Sequence, residues 1–477
     1  MENIKQLEII SAIPHLVENN EKAIIRARPG TGKTFTLKAI AETYPEYNFL
    51  YVSFSRENIK NTAPLLPKNC KSYTIHSLAR KFTKNKEVGI VNAYSTSEIS
   101  TIMKTSSKIS RLIKKLLADF FNSPEVSFKK FLLLRKRRGQ NLPPVVYSLT
   151  SSFIDKMSNR EIPLSHSFYL KEFSFNLANG MQLKNIDCLL IDEYQDTSGV
   201  IASVYEKFTC TKIYVGDEDQ AIFGFMGGMD SSLGQQFNQE FSLDINYRSN
   251  SEVIKKANYV LHSLLGRNYS IHQGVEDLDI SEIGKNAIIC RTNSSIIQYI
   301  DVLENFELSK EPDEIFETAL IYREWMDGSR NFSKRYWYLR KNRTNSDLLK
   351  HIKEVGDKGM MSAYLIAIKY PEEDKLRKLY DKAISRNSKK ALHRILSGHA
   401  SKGLEFDNVR IGFDFPSLFD LAKQVKLNLK PKFELEEEIR LYYVALTRAK
   451  HKIIDMSPNA NMSKAESFFI RNVLKMH

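Results

Sequence analysis

The chain has 477 residues, of which 42% are hydrophobic and 26% charged, with only 20 Gly and 14 Pro and a formal net charge of +14. This length predicts two to four domains, and the composition argues against disordered and collagen-like chains. The four cysteines stand apart without metal-ligand spacing, which argues against a disulfide framework and against a zinc site.

The positive charge is concentrated in two blocks. Residues 80–140 contain 15 basic and 4 acidic residues, a net charge of +11, and residues 330–394 contain 18 and 7, again +11. The remaining chain is net acidic, so the pattern predicts two inserted modules that contact a polyanion. Solvated helical faces are the alternative explanation of each block.

The sequence shows no membrane or secretion signal. No apolar run is long enough to span a bilayer, and the polar start MENIKQLE lacks the features of a secretory leader. We therefore expect a soluble, cytoplasmic protein, from a bacterium or a virus-infected host cell, that does not engage a membrane.

Short apolar runs followed by helical patterns recur along the chain, which is typical of parallel sheets with crossover helices. The predicted strands are 23–27, 49–54, 188–193 and 212–217 in the first half, and 287–292, 394–399, 408–413 and 452–457 in the second. Stretches such as 110–121 place apolar residues at three- and four-residue intervals, which predicts helices within the basic blocks. The sequence thus predicts an α/β fold of two domains, each interrupted by a mainly helical insertion.

The segment ARPGTGKT at 27–34 follows the first strand and precedes a helical run, which is the context of a phosphate-binding loop. The glycines let backbone N–H groups turn inward, the lysine reaches the outer phosphates, and the threonine offers a hydroxyl to Mg²⁺. Ala27 departs from the general pattern, which has Gly there. The predicted ATP-binding residues of this loop are Ala27, Arg28, Pro29, Gly30, Thr31, Gly32, Lys33 and Thr34.

An acidic pair ends the apolar strand of CLLIDEYQD at 188–196. Asp192 is placed to hold Mg²⁺ together with Thr34, and Glu193 is placed to polarise a water, a pairing that indicates nucleotide hydrolysis. A strand that happens to stop in solvated acids is the alternative.

Seven motifs in chain order resemble those of UvrD/Rep-like superfamily 1 helicases. Asp-Glu-Tyr-Gln followed by Asp196 is similar to the DExQD box. The others are YVSFS (51–55), YTIHS (73–77), VGDEDQAIFGFMGG (215–228), LDINYRS (243–249), SGHASKGLEFDNV (397–409) and EEEIRLYYVALTRAK (436–450). The resemblance spans nearly the whole chain.

The resemblance implies two RecA-like motor domains with the ATP site between them. The first is expected to comprise 1–79 and 176–245, with a basic helical insertion at 80–175. The second is expected to comprise 246–302 and 393–477, with a basic, mainly helical insertion at 303–392. This second insertion is shorter than in the larger relatives.

The resemblance also implies roles at the ATP site beyond those of Lys33, Asp192 and Glu193. Gln6 would read adenine, Tyr247 would stack on it, and Glu405 would hold the ribose. Gln220 would sense the γ-phosphate, and Arg248 and Arg448 would act as arginine fingers, since their planar charge suits the phosphate transition state.

For single-stranded DNA the resemblance implies base stacking by Phe54 and Phe225 and contacts near the strand by His76 and His399. A buried core position is the alternative for each of these four residues. Aromatic residues interleave with basic ones in KRYWYLRKNR at 334–343, which suits either DNA contact or a buried aromatic face.

Together these patterns predict an ATP- and Mg²⁺-dependent DNA helicase that moves 3′ to 5′ along single strands and acts on single-stranded and tailed duplex DNA. The alternatives are a translocase that strips proteins from single strands, a nucleotide-gated binding protein without turnover, and an RNA motor. The sequence identifies no protein partner and no pathway.

Overall fold

The computed structural model describes residues 3–83, 89–224, 236–277 and 284–476. The chain divides into two compact units, a first unit that ends at Tyr247 and a second unit that begins at Arg248. Among the described residues, no helix has both the length and the apolar character needed to cross a membrane.

The first unit is an α/β structure in which strands alternate with helices. Its strands are β1 (Lys22–Ala27), β2 (Phe49–Ser53), β3 (Cys70–Thr74), β4 (Ile90–Val91), β5 (Leu164–Ser165), β6 (Cys188–Asp192), β7 (Thr211–Gly216), β8 (Gln239–Leu243) and β9 (Ile245–Asn246). Its helices are α1 (Ile4–Glu18), α2 (Lys33–Thr43), α3 (Arg56–Thr62), α4 (Ile75–Lys81), α5 (Thr96–Met103), α6 (Ser107–Asn122), α7 (Phe128–Arg137), α8 (Pro144–Ser158), α9 (His166–Ala178) and α10 (Gly199–Glu206).

The main sheet of the first unit is parallel, with strand order β3-β2-β6-β7-β1-β8. Its central strands are buried on both faces, which explains why they are continuous apolar runs in the sequence. The carboxyl ends of β1, β2, β6 and β7 lie at the same edge of the sheet. The phosphate loop follows β1 there, and the acidic pair stands at the end of β6.

The sheet separates two apolar cores. Ile25 faces a core formed with α1 and α2, which includes Ile13 and Ile40. Its neighbour Ile24 faces the opposite core, which contains Phe120 of α6 and other apolar residues of the insertion helices and of α9. The helical insertion therefore packs on the sheet itself rather than around a separate core.

The second unit repeats the α/β pattern. Its strands are β10 (His272–Gln273), β11 (Asn286–Cys290), β12 (Glu307–Leu308), β13 (His393–Ser397), β14 (Phe406–Ile411) and β15 (Ala449–Asp455). Its helices are α11 (Ser251–Tyr259), α12 (Asn293–Val302), α13 (Pro312–Met326), α14 (Asn345–Val355), α15 (Lys358–Lys369), α16 (Glu373–Ser385), α17 (Leu418–Lys426), α18 (Lys432–Leu446) and α19 (Lys464–Lys475).

The main sheet of the second unit is also parallel, with strand order β12-β13-β11-β14-β15. Ile288 and Ile395 from its strands share a core with Phe316, Tyr322 and other apolar residues of α13–α16. The predicted fold class is confirmed: two parallel-sheet, RecA-like domains carry mainly helical insertions.

Candidate functional site

The loop after β1 has the backbone of an anion cradle. Gly30 and Gly32 have φ values of 70° and 82°, in the left-handed region that favours glycine. A Cβ at Gly32 would also lie 3.1 Å from the side-chain nitrogen of Gln6. Among the described residues, no side chain caps the start of α2 at Lys33, so the first N–H groups and the positive end of this helix can meet phosphate.

The segment after β8 holds this loop in place. The side-chain amide of Asn246 donates to the carbonyl oxygen of Pro29 at 2.7 Å. The backbone N–H of Tyr247 donates to the carbonyl oxygen of Gly30 at 2.9 Å. Within the loop, the Thr31 hydroxyl donates to the carbonyl oxygen of Arg28 at 2.8 Å. The cradle is therefore fixed by hydrogen bonds from a segment more than 200 residues away.

Asn3 connects the two residues predicted to meet adenine. Its backbone N–H donates to Gln6 Oε1 at 3.0 Å, while its side-chain amide donates to the phenolic oxygen of Tyr247 at 2.8 Å. Gln6 is buried and also donates to the Thr36 hydroxyl at 3.2 Å, whereas Tyr247 is 39% exposed. Sequence reasoning missed Asn3, although its place as the N-cap of α1 was a recognisable signal.

The acidic pair lies beside the loop lysine. Lys33 Nζ is 3.9 Å from Glu193 Oε1, and Asp192 precedes Glu193 at the end of β6. Burial, followed by the charge of Glu193, raises the pKa of Asp192 to about 6, while Lys33 opposes this shift. The protein compensates the charge of this buried carboxylate only in part, so the carboxylate is suited to a cationic ligand.

Glu193 has a φ of 54°, which places a side chain with a Cβ in the left-handed region. Such backbone geometry is costly and concentrates at functional sites. The Gln195 side-chain amide donates to Glu193 Oε2, and its oxygen accepts the backbone N–H of Asp217 at 3.1 Å. A Cβ on Gly216 would come within 2.1 Å of that amide oxygen, so only glycine fits there.

Asp217 is a fully buried centre of hydrogen bonds behind the acidic pair. Its two carboxylate oxygens accept from Arg28 Nη1 at 2.8 Å and from the Gln220 side-chain amide at 2.9 Å. Gln220 is thereby connected through Asp217 to the phosphate loop and, through Gln195, to Glu193. The Arg28 side chain serves this network and also contacts Asp219.

The predicted fingers lie in the second unit. Arg248 pairs with Glu405, the residue predicted to hold the ribose. Arg448 is buried, and its guanidinium donates to the carbonyl oxygens of Val444 at 3.0 Å and Leu404 at 3.3 Å. These contacts anchor Arg448 to α18 and to the loop before β14.

Phe54 and His76 come together at the carboxyl end of the first sheet. Their ring centroids are 6.1 Å apart, and Phe54 also lies 6.2 Å from Phe223, an aromatic neighbour that the sequence did not single out. Phe54 and Phe223 are both partly exposed, as a base-stacking surface requires. Phe225, the other predicted stacking residue, lies outside the described residues.

The remaining candidates for DNA contact, His399 and the aromatic residues of the segment 334–343, differ in how deeply they are buried. His399 begins a helical turn after β13, and burial together with the charge of Arg291 lowers its pKa to about 4. In the second insertion Tyr336 and Tyr338 are core residues, and the Tyr338 hydroxyl is 2.9 Å from that of Tyr322. Trp337 is only partly buried, with Lys341 Nζ 4.7 Å above its ring.

Two protein-family models match the chain. The AAA domain model matches residues 10–226, and the UvrD-like helicase C-terminal domain model matches residues 347–457. The matched ranges contain the phosphate loop and acidic pair of the first unit, and the Glu405 and Arg448 segments of the second.

Several curated proteins are similar to the chain. F-box DNA helicase 1 of Gallus gallus is 27% identical, covering 91% of the chain and 47% of that protein. F-box DNA helicase protein 1 of Schizosaccharomyces pombe is 25% identical over 90% of the chain and 55% of that protein. A probable DNA helicase II homolog of Rickettsia conorii is 25% identical over 51% of the chain and 43% of that protein. The chain spans about half the length of these curated relatives.

Proposed function

We propose that the chain is a UvrD-like DNA helicase, an ATP-dependent motor that moves 3′ to 5′ along single-stranded DNA and unwinds tailed duplexes; the two family-model matches and the similarity to DNA helicases support this. The observation that carries this proposal is the approach of Lys33 Nζ to Glu193 Oε1 at 3.9 Å, at the start of an uncapped helix. A phosphate cradle beside a base for water is the arrangement that ATP hydrolysis needs.

Thr34 and Asp192 would hold Mg²⁺ at this site. The described residues contain no cluster of three or more His, Cys, Asp or Glu side chains that forms a metal cage. One buried carboxylate and one hydroxyl instead fit a Mg²⁺ ion that arrives with the nucleotide, since Mg²⁺ usually takes one or two carboxylates plus substrate phosphates. When bound, the ion neutralises phosphate charge.

The chain's own residues then divide the work of ATP hydrolysis. Lys33 binds the outer phosphates, Glu193 orients and deprotonates the attacking water, and Gln220 senses whether the γ-phosphate is present. Arg248 and Arg448 stabilise the charge that spreads over the phosphate oxygens. Their assignment as fingers is supported by their motifs, NYRS and VALTRAK.

On the nucleotide's other side, Gln6 and Tyr247 bind adenine and Glu405 binds the ribose. Phe54 and His76 contact the unpaired DNA strand, with His399 contributing from the second unit. ATP binding and hydrolysis drive a cyclic change between the two units that advances the chain along the strand.

Steady-state ATP hydrolysis tests the proposal. We expect a single-stranded DNA oligonucleotide to stimulate hydrolysis strongly, and Lys33→Ala to lower the stimulated rate by about 100-fold or more. Lys38→Ala is the matched control, because Lys38 lies on the same helix and contacts only the neighbouring Glu42 among the described acids. If DNA did not stimulate hydrolysis by a protein shown to be folded and to bind ATP, the proposal that the chain is an autonomous motor would be wrong.

Tailed duplexes test direction and unwinding. We expect strand separation from a duplex with a 3′ single-stranded tail and none from one with a 5′ tail. Unwinding of the 5′-tailed substrate alone would overturn the proposed direction. Stimulated hydrolysis without unwinding of either would favour the translocase that removes bound proteins.

A further inference from the structure

Tyr51 of β2 reaches the candidate ATP site from inside the sheet. Its ring is fully buried, and its hydroxyl donates a hydrogen bond to Asp192 Oδ2 at 2.5 Å. The two residues lie on adjacent parallel strands, where Val52 pairs with Ile191 and Ser53 with Asp192. This contact falls outside the roles assigned above, which give the segment at 51–55 only a predicted DNA contact by Phe54.

The hydrogen bond from Tyr51 is the second of two that hold the Asp192 carboxylate in place. Asp192 Oδ1 accepts the backbone N–H of Glu193 at 3.0 Å, so each carboxylate oxygen receives one donor from a fixed element. Two donors on opposite oxygens fix the rotation of the carboxylate plane as well as its position. Each oxygen retains lone-pair capacity for a ligand.

We propose that Tyr51 is a positioning residue for the Mg²⁺–nucleotide complex, acting through Asp192. The inference rests on the function proposed above, because it requires that Asp192 receive the ion. Hydrogen-bond partners that orient a metal-binding side chain commonly change metal affinity by 10- to 100-fold when removed. Tyr51 also lies three residues before Phe54, so one short segment contains both a predicted DNA contact and the group that orients Asp192.

A purely structural role for the Tyr51 hydroxyl predicts a different result. In that case the hydroxyl only satisfies its own hydrogen-bonding need in the core, and its loss would affect folding without regard to Mg²⁺. Tyr214 offers the matched comparison, because it is also buried in this sheet and donates to a carboxylate oxygen of Glu206 at 2.9 Å. Glu206 lies at the end of α10, outside the proposed site.

The test measures binding of a fluorescent ADP analogue to the full chain as Mg²⁺ is titrated, with no catalysis required. We expect Tyr51→Phe to raise the Mg²⁺ concentration at half-saturation about tenfold. The affinity for the analogue without Mg²⁺ should be unchanged. Tyr214→Phe should leave both values as in the unchanged protein.

Each other outcome is decisive. An unchanged Mg²⁺ requirement in Tyr51→Phe, with normal Mg²⁺-dependent binding in the original protein, would overturn the role of Tyr51 and leave the proposed function intact. Weaker binding without Mg²⁺ as well would show that Tyr51 serves the fold, which also overturns the inference. If the original protein bound the analogue without any Mg²⁺ dependence, the proposed site itself would be wrong.

Discussion

His76 is held in its neutral form by its surroundings. Burial is the main cause that lowers its pKa from 6.5 to about 4, and the nearby His166 and Arg56 add to the effect. The ring lies 6.0 Å from that of His166 and 6.1 Å from that of Tyr169. A cationic His76 would therefore be placed among groups that disfavour its charge.

This predicts a loss of stability in mild acid. The folded-state pKa lies below the unfolded-state value, so the unfolded chain binds the proton first and stability falls as pH drops below 6.5. Between pH 6.5 and pH 5 we expect His76 to account for about 2 kcal/mol of the lost free energy of unfolding. Urea unfolding across this range measures it.

His76→Gln should flatten that pH dependence. The control is His272→Gln, which removes an exposed histidine on β10 instead of a buried one. Equal pH slopes in His76→Gln and the original protein would show that His76 is not the group responsible.

At the level of single residues, the sequence predicted the motif positions but not the network that supports them. Lys33, Asp192 and Glu193 belong to patterns that can be recognised locally. Tyr51 resembles an ordinary core residue of an apolar strand, and its partner Asp192 is 141 residues away. Such contacts depend on strand order, which local patterns do not determine.

At the level of elements, the eight predicted strands are all present, and their ends differ from the predicted ones by at most three residues. The sequence missed β3 and β8, which lie at the two edges of the first sheet. Both mix exposed or partly exposed residues with buried ones, because an edge strand has less covering structure. The apolar runs that reveal central strands are therefore lacking there.

The helix α6 provides a test of the insertion's packing. Leu116 is 1% exposed in the core beneath the sheet, whereas Leu133 on α7 is 53% exposed. We expect Leu116→Ala to lower the free energy of unfolding by about 2–5 kcal/mol, because it leaves a cavity in a close-packed core. Leu133→Ala, measured by the same urea titration, should change it by no more than about 0.5 kcal/mol. Similar values for the two variants would contradict the described packing.

At the level of the whole molecule, the net charge is +14, and some of the basic residues pair locally with carboxylates. In the first basic block Arg135 pairs with Asp119 and Lys130 with Glu125. On α7 and in the turn after it, Lys129, Lys136, Arg137 and Arg138 are exposed and form no ion pair with the described carboxylates. Lys129 lies in the first turn of α7 and the other three lie at its end, and we call these four residues the basic cluster.

We predict that this basic cluster binds the DNA backbone. Replacing its four residues with Gln should reduce the slope of log affinity against log salt by about 2–3, since each contacted phosphate of a single strand contributes about 0.7. Fluorescence anisotropy with a labelled single strand between 50 and 200 mM salt measures this slope. The control replaces Lys423, Lys426, Lys430 and Lys432 with Gln, an equal change of charge in the second unit. Equal reductions in the two variants would exclude a local contact.

Both insertions pack directly on the main sheets of their units, which limits how such proteins can be recombined. In the first unit Ile24 and Tyr214 share one core with Phe153 of α8, and in the second unit Ile288 shares one with Leu339. An insertion therefore cannot be exchanged between relatives as a self-contained module, because its removal would expose apolar residues of the strands beneath it. In the first unit these strands carry the phosphate loop and the acidic pair. A functional chimera would have to carry the sheet-facing residues of both partners together.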